Sequence, residues 1–134
     1  MFRSPLSALL LLPTAGALAA PPPPESEEAR RFGALGKWFE AQESEMGACC
    51  SLGDGRMVEA RIREGRYEVR FLHPETVSTT LKPQQGVFYP VAEEALLRGP
   101  NPTGTPIAWW SPTLNYLNGK AIGHIRCFIG AELY

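Results

Sequence analysis

The 134 residues carry thirteen Lys and Arg against fourteen Asp and Glu, with 44% hydrophobic and 20% charged side chains, for a formal net charge of −1. That balance excludes the basic field with which duplex-binding proteins neutralise phosphates, so nucleic acid is not an expected partner. The length allows one domain with a modest core, not two.

Met1-Phe2-Arg3 is a short basic start, Leu6 to Leu12 an apolar run, and Ala17-Leu18-Ala19 a small-residue cleavage signal. Together they predict a secretory signal peptide over residues 1–19, cut after Ala19. The apolar run is too short to span a bilayer and no cysteine follows to take a lipid. The expectation is an exported protein, periplasmic or extracellular, with no stable membrane span after cleavage. About 115 residues would then remain, with twelve basic against fourteen acidic side chains.

Pro21 to Pro24 form a stiff extended run, and residues 20–31 read as a Pro/Glu-rich spacer. A single small β-rich domain is expected over 32–134. Phe32, Leu35, Trp38, Phe39 and Met46 recur at roughly helical spacing. They predict a short amphipathic helix around Ala34 to Ser44, weakened by Gly33 and Gly36, with Trp38 and Phe39 against the sheet. A partner-binding helix is the other use of such a stripe, but a domain this small needs the stripe for its own burial.

Residues 56–71, RMVEARIREGRYEVRF, are the best-specified stretch. Val58, Ala60 and Ile62, then Tyr67, Val69 and Phe71, alternate with polar residues around a Glu64-Gly65 turn, the period-2 signature of a hairpin with one buried face. Pairing Arg63 with Arg66 sets Val58 opposite Phe71, Arg61 opposite Glu68 and Glu59 opposite Arg70. A one-residue slip would bury the arginines, so burial and cross-strand charge select the same register.

Thr76 to Lys82 and Val87 to Val91, separated by Pro83-Gln84-Gln85-Gly86, predict a second hairpin. Ala92 to Arg98 is short and helix-like, and Gly99 to Pro106 is a Pro/Gly-rich loop. Ile107 to Trp110 resumes a strand, and Asn118-Gly119 turns the chain into a last strand, Ala121 to Gly130. The whole reads as mainly β: a small sheet or barrel-like domain of about six antiparallel strands with an N-terminal amphipathic helix.

Cys49, Cys50 and Cys127 in an exported chain imply one disulfide and one leftover thiol. Strand alternation puts Cys127 inward with Ile125 and Ile129, which makes it the common partner. Cys50, nearer the hairpin, is taken as bonded to Cys127, and Cys49 as an exposed thiol able to react or to link a homodimer. A metal site using the cysteines with His73 or His124 lacks ordinary zinc-knuckle spacing. A cysteine nucleophile paired with either histidine lacks a third group. Phosphate-cradling glycine loops, nucleophile elbows and paired-histidine helices are absent, and the single aspartate, Asp54, lies in a turn. No catalytic set, cofactor or metal is therefore expected. Trp109, Trp110 and Tyr116, with Phe88 and Tyr89, are the candidate binding aromatics for a protein, peptide or glycan ligand, against the plainer expectation that two tryptophans on opposite strand faces fill two small cores.

Trp38-Phe39, Cys49-Cys50-Ser51, Asn101-Pro102-Thr103-Gly104 and Cys127-Phe128 together resemble a group of short exported bacterial proteins of unassigned function, over roughly Gly36 to Gly130. The resemblance implies a similar fold and export, and implies no activity. Its pattern often has a further cysteine where this chain has Gly55, which implies two disulfides in those relatives and an odd cysteine here. Val91-Ala92 departs from the Val-Pro of the pattern. The functional expectation is a binding or envelope-associated structural module. The alternative is a small exported hydrolase or thiol redox protein using Cys49 or Cys50 with a histidine.

Overall fold

The computed structural model describes residues 21–50, 54–114 and 117–131, and over these the chain is mainly β. The expected signal peptide lies outside them. Two antiparallel sheets form: a two-stranded one from β1 (Glu43–Ser44) and β2 (Gly47–Ala48), and a five-stranded one from β3 (Asp54–Arg63), β4 (Arg66–Phe71), β5 (Tyr89–Pro90), β6 (Ile107–Leu114) and β7 (Ala121–Ile129). The larger sheet has the order β5-β4-β3-β6-β7. A single 3-10 turn, Glu93–Ala95, follows β5. Leu96 then bridges Phe128 in parallel, and the Leu97 N–H donates to the Phe128 carbonyl at 2.8 Å. The chain after one edge strand thus reaches the other edge, and the sheet nearly closes into a barrel.

The β3–β4 hairpin has the register that alternation and charge select, from Val58 opposite Phe71 to Arg63 opposite Arg66. Glu64 and Gly65 both take left-handed backbone, at φ 52° and 76°, which is what a two-residue turn needs to match strand twist. Arg61 Nε donates to Glu68 at 2.8 Å, and Arg70 pairs with Glu59. Phe88 lies under both guanidinium groups, 3.7 Å from Arg61 Cζ and 5.0 Å from Arg70 Cζ. Burial holds at Val58, Val69 and Phe71 but fades toward the tip, where Ile62 is 66% exposed. The cause is that β6 pairs with β3 only over Asp54–Met57, so the hairpin tip outruns its neighbours.

Pairing of β6 with β7 shifts between Trp109 and Trp110, which face Cys127 and Ile125 respectively. Arg126 is the extra residue of this bulge, and a bulge inverts alternation on either side of itself. Ile125 therefore packs with Val58, Val69, Phe71, Trp110 and Phe128, while Cys127 and Ile129 pack on the opposite face with Met57, Ile107 and Trp109. The expectation that Ile125 shares a face with Cys127 is corrected by that one residue.

Three further expectations change. The helix over Ala34 to Ser44 is instead α1 (Glu27–Phe32), a 3-10 turn (Gly33–Leu35) and α2 (Gly36–Ala41). Ser26 Oγ accepts the Ala29 N–H at 3.2 Å and starts α1 inside the stretch read as spacer. The two glycines mark where the helix breaks. The second hairpin over residues 76–91 is replaced by a 3-10 turn at Pro74–Thr76, an irregular segment, and the two residues of β5. The reason lies in β3: Arg56 Nη2 donates to the Thr76 carbonyl and Asp54 Oδ2 accepts the Ser78 N–H. Side chains, not a neighbouring strand, take those backbone groups. Finally, the helix-like stretch Ala92 to Arg98 contracts to the one turn Glu93–Ala95. Among the described residues no helix is long and apolar enough to cross a membrane.

Candidate functional site

The disulfide joins Cys49, not Cys50, to Cys127, with Cα atoms 5.7 Å apart. The bulge explains the choice. Arg126 Nε donates to the Ala48 carbonyl at 2.7 Å, and Ser44 Oγ donates to the Arg126 carbonyl at 3.0 Å. The small β1–β2 hairpin is thereby docked on Arg126, and the next residue in each segment, Cys49 and Cys127, meets its partner. Both are fully buried.

Cys50 is the unpaired thiol, and it is half-buried rather than exposed. Its S–H donates to the Phe39 carbonyl at 3.2 Å and its sulfur accepts from Trp109 Nε1 at 3.3 Å. Burial pushes its pKa up, with the Trp109 hydrogen bond opposing. Such a thiol is a poor nucleophile. The charged groups that act on it are Glu40, Asp54 and Arg56. His73 instead sits between Glu27 (3.4 Å) and Glu75 (3.7 Å). His124 is opposite Ser111 in the β6–β7 ladder, and burial followed by Arg126 lowers its pKa. The structure brings neither histidine to Cys50, and among the described residues no three His, Cys, Asp or Glu side chains group as a metal set.

The candidate aromatic surface is also rearranged. Trp109 and Trp110 are 0% and 2% exposed and belong to separate cores on opposite faces of the sheet. Each indole N–H is satisfied, by Cys50 Sγ and by the Leu81 carbonyl respectively. Neither is available as a binding surface. Tyr116 lies outside the described residues.

What remains is a pocket that the spacing of the sequence does not announce. The α1–α2 segment crosses the edge of β3 beyond the point where β4 stops: β4 ends at Phe71, opposite Val58, so on that side Met57 meets no strand. Glu28 fills the gap, its Oε2 accepting the Met57 N–H at 3.0 Å. Between this helical segment and β3 lies a cavity of about 290 Å³, bordered by Phe32, Gly36 and Phe39 and by Glu28, Cys50 and Arg56. Gly33 and Gly36 keep it open: a Cβ on either would meet nothing within 4 Å.

Two of its polar groups are deeply buried. Glu28 is 2% exposed and Arg56 1%. Arg56 donates to Thr76 Oγ1, the Thr76 carbonyl and the Gly55 carbonyl, and stands 3.7 Å from Asp54. Glu28 Oε1, by contrast, has no hydrogen-bond partner among the described residues. Burial raises the Glu28 pKa, opposed by the Met57 amide and then by Arg56. A concave, mostly apolar space with a few convergent polar groups and a perturbed carboxyl is the general form of a small-molecule site.

One signal for Arg56 was present in the sequence, since it shares strand parity with buried Val58; Glu28 gave none beyond an acidic run. A second, wider groove of about 620 Å³ near Glu43, Glu45, Glu93 and Tyr67 contains no buried unpartnered side-chain atom among the described residues. No family model, curated protein or solved structure matches this chain.

Proposed function

We propose that the protein is an exported binding module whose site is the pocket between the α1–α2 segment and the free edge of β3. The observation that carries this reading is the mostly apolar cavity of about 290 Å³ that Glu28, Cys50 and Arg56 border. Its volume lies at the small end of ligand pockets, which suits a compact ligand rather than a peptide or an oligosaccharide. Cys50 is held as a hydrogen-bonded thiol and no histidine adjoins it, which supports binding over hydrolase or thiol redox chemistry. Its half-burial also supports a monomer over a disulfide-linked homodimer. The Cys49–Cys127 bond supports an oxidising compartment, consistent with the leader-like start.

A neutral probe, 2-phenylethanol, tests the pocket. Amide NMR shifts confined to residues bordering the cavity are expected, and Gly36→Leu should abolish them, since Gly36 borders the cavity and a Cβ there meets nothing within 4 Å. Shifts that survive Gly36→Leu, or that appear elsewhere, would sink the reading. Export is checked by the mass of the processed protein, expected to begin at Ala20.

A further inference from the structure

Resting on that reading, we infer that the pocket takes a small organic cation, a primary ammonium on an apolar body, with the ammonium seated against Glu28. The charge pattern points this way. Ionisable side chains bordering the cavity are Glu28, Glu40 and Arg56. Arg56 stands nearest Asp54, acts also on Glu28, and directs donors to Thr76 and Gly55. Of the cations nearby, Arg31 meets Glu27, Met57 Sδ and the Phe32 ring, Arg30 the Glu25 carbonyl, and His73 Glu27 and Glu75, while Lys37 of α2 does not border the cavity. The lining is left with an excess of carboxylate.

Glu28 supplies the second, independent observation. It is almost wholly buried, one oxygen is held by the Met57 N–H, and the other has no donor among the described residues. A buried acceptor without a donor is rare and asks for a partner. An ammonium carries three donors and no acceptor, and a charge-assisted bond to a carboxylate is about twice as strong as a neutral one. The remainder of the wall is the right chemistry for the rest of such a molecule. Phe32 and Phe39 offer apolar surface to the body of such a molecule, and a Cβ on Gly33 or Gly36 would meet nothing within 4 Å. An anion would meet Glu28 and Glu40 with like charge. A neutral alcohol would supply one donor and leave the charge unmatched.

The test compares three probes that share a phenylethyl body on the full processed protein at neutral pH: 2-phenylethylamine, 2-phenylethanol and 3-phenylpropionate. By calorimetry or NMR titration the amine should bind about tenfold more tightly than the alcohol, and the acid more weakly than either. Glu28→Gln keeps an acceptor for the Met57 N–H, and should bring amine and alcohol to equal affinity. Should that variant fail to fold, the wild type carries the same test through pH. The amine keeps its charge throughout the acid range, so its advantage over the alcohol should vanish as Glu28 is protonated. Equal affinity for amine and alcohol, preference for the acid, or an amine advantage that persists through that titration would each overturn the inference while leaving the pocket reading intact. Binding of none of the three would overturn both.

Discussion

Each face of the central sheet lays one tryptophan over one glycine, and the two faces differ in what surrounds the pair. On one, Trp110 covers Gly123 so closely that a Cβ there would stand 1.6 Å from its ring, and Val58, Val69, Phe71 and Ile125 fill the space around it. On the other, Trp109 covers Gly55, where a Cβ would stand 2.7 Å from the indole nitrogen, but the neighbours are a disulfide, a thiol and two short helices. The first face is enclosed by its own curling sheet, so strands bring enough side chains to fill it. Six-residue helices interrupted by glycine cover less. The second face is closed partly by a covalent bond, and the cavity at Glu28 and Cys50 lies on its side.

The largest expected effect separates the two faces by chemistry. Cys127→Ala opens a bond linking residues 78 apart and should cost about 4 kcal/mol of unfolding free energy in the chain-entropy account. Denaturant melts with and without reductant measure it, and a loss below about 1 kcal/mol would mean that packing alone holds the helical side. Next comes the paired comparison of glycines. Gly123→Ala drives a methyl into an enclosed Trp110 and should cost about 2–3 kcal/mol, whereas at Gly55 the contacts are longer and one neighbour, Phe39, borders the cavity and can give way, for about 1 kcal/mol. Equal losses would show that the cavity lends no room.

The smallest effect is the pH dependence set by Glu28. Its carboxyl titrates above the ordinary value of 4.5 because of burial, opposed by the Met57 amide, Arg56 and His73 and assisted by Glu27. The native state therefore binds this proton more readily than the unfolded chain does. That contribution to stability is fully present below 4.5 and is lost as pH rises through the raised pKa. Wild type should thus gain on Glu28→Gln as the solution is acidified through this window. A constant difference between the two across the window would show that the carboxyl is not perturbed.

What could be read from the chain follows the range of the interactions. The β3–β4 register rests on neighbours within eleven positions: the Glu64-Gly65 turn, the alternation and the Arg61–Glu68 and Arg70–Glu59 pairs. The Asn118-Gly119 signal likewise lies between two strands that do pair, and Asn118 Oδ1 accepts the Lys120 N–H at 2.9 Å. Elsewhere a distant side chain overrode local preference, as when Arg56 and Asp54 drew residues 76 and 78 out of a strand. The pocket was not legible for the same reason. Glu28 is 29 positions from the amide it holds, and no periodicity joins them.

Turns, alternation and counting are local or compositional, so the mainly β class, the hairpin register and the number of cysteines left over after one bond are legible in the residues alone. Which cysteine is bonded, which face Ile125 takes, and that Glu28 and Cys50 border one cavity follow from the fold. Each of those turns on a contact with no sequence spacing to betray it. Arg126, by bulging from β7 to hold Ala48 and Ser44, sets the first two at once, and a one-residue bulge leaves no mark in a pattern of alternating residues.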